Sequence, residues 1–237
     1  MVEPLFVDSN LVVAEKVLLT GDEAKHAVSV RRMRVGEAIQ VTNGRGLRVR
    51  GQVEEIGKNQ VVIAVAESVQ ETDTQPKFVL VQALAKGDRD ELAIQAATEI
   101  GVSQIIPWAA TRSITRWEGA KKKTGQARWQ QIVTEAAKQS LRSFIPEVSE
   151  IQSAQELKAT LASFELVLVL EPTGSKKLKE LKLPESGRVA IVVGPEGGIA
   201  SEELALFGPE NHITLGKNVL RTSTAGPAVL AALTLNR

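Results

Sequence analysis

The sequence of 237 residues contains no cysteine and no tyrosine, and its only histidines are His26 and His212. Without cysteine, disulfide bonds, thiolate catalysis and cysteine-based zinc sites are excluded. Two isolated histidines do not form an imidazole cluster, so we expect a chemistry that uses no metal. Aromatic residues make up only 3% of the chain. This excludes a row of aromatic side chains on which the bases of a nucleic acid strand would stack.

Long apolar runs and a visible export signal are also absent. No apolar segment is long enough to span a bilayer, and the first residues lack a basic region followed by an apolar core. We therefore expect a cytoplasmic protein without a membrane partner. The formal net charge of +1 does not indicate bulk binding of polyanions, but local basic clusters remain compatible with RNA binding.

The first third of the chain is rich in short β-type patterns, and a hydrophobic fraction of 43% is sufficient for a packed core. We predict strands at residues 11–19, 38–42, 47–56 and 61–66. The polar segment 67–75 ends at Pro76, and this change of composition predicts a linker. We therefore expect a small β-barrel domain at residues 1–72 and a second domain at residues 73–237.

The second domain alternates strand and helix patterns, which is typical of a mostly parallel sheet with helices on both faces. Asp88 followed by Glu91 indicates a capping box, and Gly101 is a natural helix end. Apolar residues at helical spacing between Trp129 and Phe144 predict the buried face of a longer helix. The predicted strands are 78–83, 104–108, 165–170, 188–193 and 213–215, and the predicted helices are 88–100, 125–143, 201–207 and a helix of small residues near the C-terminus.

The glycine-rich segment 194–198, Gly-Pro-Glu-Gly-Gly, follows a predicted buried strand and precedes a helix that Ser201 is expected to cap. Ligands bind at such junctions in open α/β sheets, and a loop with few side chains lets a ligand approach the backbone. The alternative is an ordinary tight turn. Leu215-Gly216 and residues 220–222 form a second irregular segment that we expect at the same sheet edge. Neither segment has the spacing of a Rossmann dinucleotide site or a P-loop.

In their order and their distance from the C-terminus, these segments resemble the signature of the SPOUT methyltransferases that modify N3 of a uridine in 16S ribosomal RNA. The resemblance extends over nearly the whole chain. One residue departs from it, because Ser223 stands where the family usually has a glutamate. Further matching segments are Lys86-Gly87-Asp88-Arg89 with Glu91, Thr98-Glu99-Ile100-Gly101-Val102, Glu135-Ala136-Ala137 with Gln139, Ser140 and Arg142, and, in the N-terminal part, His26, Arg32 and Gly36.

The resemblance implies an N-terminal PUA-like β-barrel and a C-terminal SPOUT α/β domain with a deep trefoil knot, paired as a homodimer. It also implies S-adenosylmethionine as the methyl donor, held mostly by backbone groups, and no metal. A neutral adenine and a zwitterionic tail need close amides and carbonyls more than counter-charges. The implied donor-binding residues are Leu170, Gly194, Glu196, Gly197, Leu215, Gly216, Leu220 and Thr222.

Catalysis at uridine N3 must remove a proton that is lost only well above neutral pH. The two loops contain no histidine, and Arg221 and Glu196 are the charged groups that we assign to catalysis. Arg221 either stabilises negative charge on the uracil edge or fixes a phosphate. Glu196 either accepts the proton or holds the donor. We favour Arg221 as the more important of the two.

Basic residues cluster in the N-terminal part, as binding to a phosphate backbone requires. With the resemblance, we expect them to bind 16S ribosomal RNA or the small ribosomal subunit. The alternative is an ordinary solvated face. The predicted RNA-binding residues are His26, Arg31, Arg32, Arg34, Arg45 and Arg48, with Lys86, Arg89 and Arg142 from the rest of the chain.

Two other functions remain open from the sequence. A related SPOUT enzyme would methylate a ribose 2′-O, although that branch tends to have an early Asn-x-x-Arg pattern that is not convincing here. A ribosome-binding or assembly factor without activity would keep the fold but would need no affinity for the methyl donor. Binding of the donor therefore separates an enzyme from such a factor.

Overall fold

The computed structural model of the protein describes residues 3–234, so the outer bounds of the two predicted domains, residues 1 and 237, lie outside it. The described chain forms two compact units. The first contains the residues up to Asp73 together with Ala137–Ile145, and the second contains Thr74–Ala136 together with the residues from Pro146 onward. Within residues 3–234, no helix combines the length and the apolar character needed to cross a membrane.

The first unit is built on a five-stranded sheet in the order β1-β3-β4-β5-β2. Only β1 and β3 are parallel. Alternate side chains of the strands, such as Val49, Val53 and Ile63, are buried in one core, as the two-residue period of a strand requires. The elements are β1 (Leu5–Val7), β2 (Lys16–Thr20), α1 (Gly21–Lys25) with a π-helical turn at His26–Val30, β3 (Ala38–Thr42), β4 (Leu47–Ile56) and β5 (Gln60–Gln70).

The structure confirms the predicted strands 38–42 and 47–56 and corrects two others. The first predicted strand begins only at Lys16. Val12 and Val13, which were expected inside it, are exposed. The predicted linker is wrong in its first half, because β5 continues to Gln70. Pairing with the long strand β4 overrides the polar composition of this segment.

The second unit contains a seven-stranded sheet in the order β10-β12-β9-β11-β6-β7-β8, and every paired strand is parallel. The central strands β6 and β11 are apolar almost throughout, as expected for strands covered on both faces. The elements are β6 (Lys77–Ala83), α2 (Arg89–Ile100), β7 (Gln104–Trp108), α3 (Lys121–Gln139), β8 (Glu147–Val148), α4 (Ala154–Leu161), β9 (Leu166–Leu170), β10 (Lys176–Lys177), β11 (Arg188–Val193), α5 (Ser201–Phe207), β12 (His212–Thr214) and α6 (Thr222–Thr234).

Helix α2 ends as predicted but begins differently. Gly101 terminates it with a φ of 123°, which a residue with a side chain rarely adopts. The predicted capping box is wrong, because the side chain of Asp88, the N-cap residue, makes no capping hydrogen bond. Glu91 instead forms an ion pair with Arg128. A long-range partner thus replaces the local one.

Helix α3 is displaced from its predicted range of 125–143. It begins at Lys121, four residues before the predicted start. The helix ends at Gln139, and Leu141 has a φ of 57°, which a helix cannot accommodate. Its apolar stripe is confirmed, because Trp129 and Val133 are fully buried.

Helix α6 packs closely on α2, β6 and β11. A Cβ atom added to Gly226 would lie 2.8 Å from Cδ1 of Leu80 and 3.2 Å from Cγ2 of Val193. Glycine therefore lets the helix approach the sheet at this point. The buried residues of this helix are Thr222, Ala225, Gly226, Pro227, Val229, Leu230 and Leu233.

We expect Gly226→Leu to destabilise the protein by about 1–3 kcal/mol, because a larger side chain forces the helix away from the sheet. The matched control is Ala228→Leu on the exposed face of the same helix. The free energy of unfolding is measured in urea. Equal stability of the two variants would contradict the close approach.

Candidate active site

A cleft opens at the carboxyl ends of β9 and β11, next to the start of α6. It consists of a cavity of about 430 Å³ and an adjoining cavity of about 220 Å³. Three segments form its walls: residues 170–172, the glycine loop at 194–198, and the C-terminal loop at 215–221. The residues that line both cavities are Leu170, Glu171, Pro172, Val219, Leu220 and Ala225.

The cleft brings together nearly all of the residues predicted for the donor and for catalysis. The exception is Gly197. A Cβ atom added there would lie 3.3 Å from Cβ of Arg112, and the Gly197 carbonyl accepts a hydrogen bond of 3.1 Å from Nη1 of Arg112. The remaining predicted residues that line the cleft are Leu170, Gly194, Glu196, Leu215, Gly216, Leu220, Arg221 and Thr222.

The glycine loop is a compact turn that requires glycine at two positions. A Cβ atom on Gly194 would lie 2.6 Å from Cγ1 of Ile199, so the loop folds back on itself here. Gly198 has a φ of 73°, and its N–H donates to the Pro195 carbonyl at 2.9 Å. The backbone therefore forms the wall of the cleft at this loop.

Glu196 is held by hydrogen bonds at one end of the cleft. Its Oε1 accepts from the backbone N–H of Lys86 and from Nη1 of Arg89, both at 3.0 Å. Burial acts to raise the pKa of Glu196, but hydrogen bonds from its own N–H, Lys86 and Arg89 outweigh burial and lower the pKa below its ordinary value. The carboxylate is ionised near neutral pH and is a weak base.

Arg221 lies exposed at the edge of the same cleft. Its carbonyl accepts the N–H groups of Thr224 and Ala225, which fixes the backbone at the start of α6. Within residues 3–234, the Arg221 guanidinium has no hydrogen-bond or ion-pair partner. Unlike Arg89, which is paired with Glu196, it is free to bind an anionic group.

Thr222 joins the C-terminal helix to the glycine loop. Its hydroxyl donates to the Gly194 carbonyl at 2.9 Å and accepts from Nε2 of Gln82 at 2.9 Å. Gln82 was not predicted from the sequence. A glutamine within the apolar strand β6 was the only available signal.

Glu203 was also missed, and it corrects the predicted cap of α5. Ala200, rather than Ser201, precedes the helix, and its N–H donates to Oε2 of Glu203 at 3.2 Å. Oε1 of Glu203 accepts from the N–H and the hydroxyl of Thr111 at 2.8 and 2.9 Å. This buried carboxylate therefore ties the segment after β7 to the start of α5. Among the described residues there is no group of histidine and carboxylate side chains suited to a metal ion.

The predicted RNA-binding residues of the first unit differ in how accessible they are. Arg31, Arg32 and Arg34 are exposed, and their guanidinium groups have no partner in the described part of the chain. Buried Met33 anchors the loop between them, with its N–H donating to the Ala27 carbonyl at 3.0 Å. The loop therefore presents three available cations.

Arg48, by contrast, is committed to internal contacts. Its Nε donates to Oγ of Ser143 at 2.7 Å, its Nη1 to Gln40 at 3.1 Å, and its Nη2 lies 2.8 Å from the Glu71 carboxylate. Arg45 is exposed but donates to the Ser9 carbonyl at 2.8 Å. Neither side chain is as available to phosphate as the cations of the 31–34 loop.

Arg142 and His26 also lie in structured surroundings. Burial lowers the pKa of Arg142 to about 10, and the nearby charge of Asp73 opposes that change. The ring of His26 contacts Phe6 edge to face at 5.8 Å, and its Nδ1 lies 3.4 Å from Nζ of Lys138. In the second unit the Lys86 side chain is exposed, while Arg89 is paired with Glu196.

Comparisons with known proteins identify two domains. A family model described as an RNA methyltransferase domain matches residues 72–234, and one described as an RNA methyltransferase PUA domain matches residues 19–66. The chain is 37% identical over 240 residues to ribosomal RNA small subunit methyltransferase E of Mycobacterium tuberculosis, covering 98% of this chain and 92% of the relative. It is 32% identical over 225 residues to the protein of that name from Bacillus subtilis, covering 91% and 88%.

A solved structure has the same overall fold. It is the ribosomal RNA small subunit methyltransferase E of Neisseria gonorrhoeae bound to S-adenosyl methionine, with a TM-score of 0.88 and 28% identity. The match covers 99% of this chain and 98% of that chain.

We expect Arg89→Met to raise the pKa of Glu196, because it removes one of the hydrogen bonds that favour the carboxylate. A lowered pKa stabilises the folded protein above the unfolded value, and this contribution is lost as pH falls through the folded-state pKa. Carbon NMR of the labelled carboxyl group measures the titration. Arg128→Met, which removes the partner of Glu91, is the control and should leave Glu196 unchanged. An unchanged pKa in Arg89→Met would contradict the assigned cause.

Proposed function

The chain belongs to the family of ribosomal RNA small subunit methyltransferases E, and from this premise we propose that it methylates N3 of a uridine in 16S ribosomal RNA. It is an enzyme of ribosomal RNA methylation and uses S-adenosylmethionine. The observation that carries the proposed chemistry is the cleft, where a backbone-lined loop, an ionised carboxylate and a free guanidinium lie together.

The cleft suits the methyl donor in size and in chemistry. Its larger cavity, of about 430 Å³, falls within the range of about 300–1,000 Å³ that small-molecule sites occupy, and the adjoining cavity of about 220 Å³ extends it. Leu170 and Leu220 supply apolar surface, and the glycine loop supplies backbone close to the ligand. When bound, S-adenosylmethionine supplies a methyl group on a positively charged sulfur. We propose that the residues predicted for the donor hold it, with Gly197 acting through the shape of the loop.

The roles of the two charged residues follow from their partners. Glu196 is already hydrogen-bonded to Lys86 and Arg89, so we assign it to holding the glycine loop in place. Arg221 is unpaired in the described chain, so it is available for the negative charge that develops on the uracil as N3 loses its proton to water. Ser223, partly exposed in the first turn of α6, supplies no carboxylate.

Arg221→Ala should lower single-turnover methylation by about 10²-fold or more, the scale of removing one electrostatic interaction that stabilises a transition state. The affinity for the donor should change little. Rapid quench with labelled S-adenosylmethionine measures the rate, and calorimetry measures the affinity. Two results together would reverse the assignment: Arg221→Ala methylates at the parental rate, and Glu196→Gln loses turnover while its donor affinity is normal. Glu196 would then be the catalytic residue and Arg221 would not.

Incubation of the purified protein with 16S RNA, or with small subunits, and the labelled donor tests the reaction itself. Digestion to nucleosides followed by mass spectrometry separates methylation of the base from methylation of the ribose. We expect 3-methyluridine. A 2′-O-methylated nucleoside would favour the other SPOUT activity, and no transfer despite donor binding would contradict the proposed reaction.

We propose that residues 1–72 form the PUA-like RNA-binding domain and residues 73–237 the methyltransferase domain. The exposed cations of the 31–34 loop support RNA binding through phosphates. Arg32 has a φ of 54°, an uncommon conformation for a residue with a side chain. Arg48 and Arg142, which are engaged or partly desolvated, contribute to the structure of this region more than to phosphate binding.

Arg32→Ala should weaken RNA binding and reduce the slope of log affinity against log salt by about one unit, the effect of removing one cation from a phosphate. Fluorescence anisotropy over a salt series measures this slope. Glu37→Ala, in the same exposed region but without a positive charge, is the control. An unchanged slope in Arg32→Ala would indicate that these arginines form an ordinary solvated face and do not bind phosphate.

We propose that the second domain is knotted. Strand β12 lies toward one side of the sheet, yet α6, which follows it, packs near the middle on β6 and β11. The connecting C-terminal loop passes beside the glycine loop, to which Thr222 is bonded. These features support threading of the chain end. A backbone trace in experimental density that leaves this end unthreaded would contradict the proposal.

We propose a homodimer in the cytoplasm, where ribosomal RNA is modified. Helix α6 offers little surface to a partner, since most of its small residues are buried within the chain itself. Exposed Leu92, Val219 and Leu220 in the second unit support association instead.

Light scattering should give twice the monomer mass across a dilution series. A fully active monomer would contradict the dimer, and recovery of the protein outside the cytoplasmic fraction would contradict the location.

A further inference from the structure

We propose that Gln82 is a positioning residue for the methyl donor, acting through Thr222 on the carbonyl of Gly194. The inference rests on the proposed function, because it assumes that the cleft binds S-adenosylmethionine. Gln82 does not line the cleft. Its effect is to fix a backbone group that does.

Only the carbonyl group of the peptide between Gly194 and Pro195 can take part in a conventional hydrogen bond. Proline has no N–H, so a hydrogen bond to the rest of the protein must be made through the Gly194 carbonyl. The Thr222 hydroxyl donates to this carbonyl at 2.9 Å. Gly194 lacks a side chain that would limit rotation of the peptide. One hydroxyl therefore fixes the plane of the peptide at the entrance of the glycine loop.

Gln82 determines the direction of that hydrogen bond. Its Nε2 donates to Oγ1 of Thr222 at 2.9 Å and to the Ala83 carbonyl at 3.1 Å. A hydroxyl that accepts from an amide keeps its own proton for another acceptor. The Thr222 proton is thus directed to Gly194. The chain of donors runs from the end of β6, through the start of α6, to the loop after β11.

The burial of Gln82 indicates a purpose beyond packing. Its side chain is fully buried at the end of β6, opposite Val193 in the register of the sheet. Its Oε1 has no hydrogen-bond partner in the described part of the chain. An unpaired buried oxygen lowers stability, and an apolar side chain of similar size would avoid that loss. The amide N–H groups are the part of this residue that the site uses.

Titration calorimetry with S-adenosylmethionine tests the inference on Gln82→Met, Thr222→Val, Thr222→Ser and the Gln82→Met/Thr222→Val pair. We expect each of the first two to weaken donor binding about tenfold. The pair should bind no more weakly than Thr222→Val alone, because both changes break the same chain of bonds. Thr222→Ser, which keeps the hydroxyl, should bind like the parent. The KM for RNA should stay at the parental value.

The matched control is Thr42→Val in the first unit. Thr42 is also buried, and its hydroxyl also both accepts and donates: it accepts from the backbone N–H of Gly44 and donates to carbonyl oxygens. Urea unfolding reports the general cost of losing such a hydroxyl. We expect Thr42→Val to lose stability without losing affinity for the donor. The inference is overturned if donor affinity falls as much in Thr42→Val as in Thr222→Val. Thr222 and Gln82 would then have only a structural role.

The remaining outcomes separate this inference from the proposed function. Parental donor affinity in folded Thr222→Val overturns the positioning role while the donor site stands. Strictly additive losses in the pair overturn the connection through Thr222. Absence of donor binding by the unmodified chain overturns the proposed function, and this inference with it. The Thr222 variants decide the matter if Gln82→Met does not fold.

Discussion

The close packing of α6 on the central strands determines the geometry of the cleft. Gly226 lets this helix approach Leu80 and Val193, and the approach brings Thr222 within hydrogen-bonding distance of Gly194. The C-terminal loop is thereby held beside the glycine loop. The C-terminal loop and the glycine loop become the walls of one site because α6, a helix of small residues, packs on the sheet and is bonded to the glycine loop at its start.

In the proposed reaction, the distribution of charge in the cleft assigns Glu196 to holding the glycine loop and Arg221 to the chemistry. The ionised carboxylate of Glu196 is paired with Arg89 and accepts a hydrogen bond from a backbone N–H. These contacts make it a fixed part of the loop. Arg221 has no ion-pair partner within the described chain and lies at the edge of the site. A reaction that generates negative charge on a base gains from a free cation and has little use for a carboxylate that is already paired. In this proposal the site needs no carboxylate at position 223, where the chain has a serine.

The sequence was sufficient where local patterns decide the structure. Strand Arg188–Val193 and helix Ser201–Phe207 have the predicted bounds, because an apolar run and an amphipathic turn each specify their own extent. The carboxyl ends of parallel strands also share one edge, so the meeting of the two loops was predictable. The sequence was insufficient where a distant partner decides. The partner of Glu91 is Arg128, not the start of its own helix.

The same limit explains the outcomes for individual site residues. Arg48 has the local pattern of a surface cation, but Ser143, 95 residues away, engages its guanidinium. Gly197 belongs to the glycine loop but does not line the cleft, and Arg112 lies close to where its side chain would be. Gln82 and Glu203 act through hydrogen bonds to residues far along the chain. Neither their spacing nor their type shows these contacts before the chain is folded.

Mass mapping of 16S ribosomal RNA tests the central claim most directly. RNA from cells that lack this protein is compared with RNA from the same cells after the chain is restored. We expect one uridine to lack its base methyl group when the protein is absent and to regain it on restoration. An unchanged pattern of uridine methylation in the cells that lack the protein would show that the protein does not methylate this RNA.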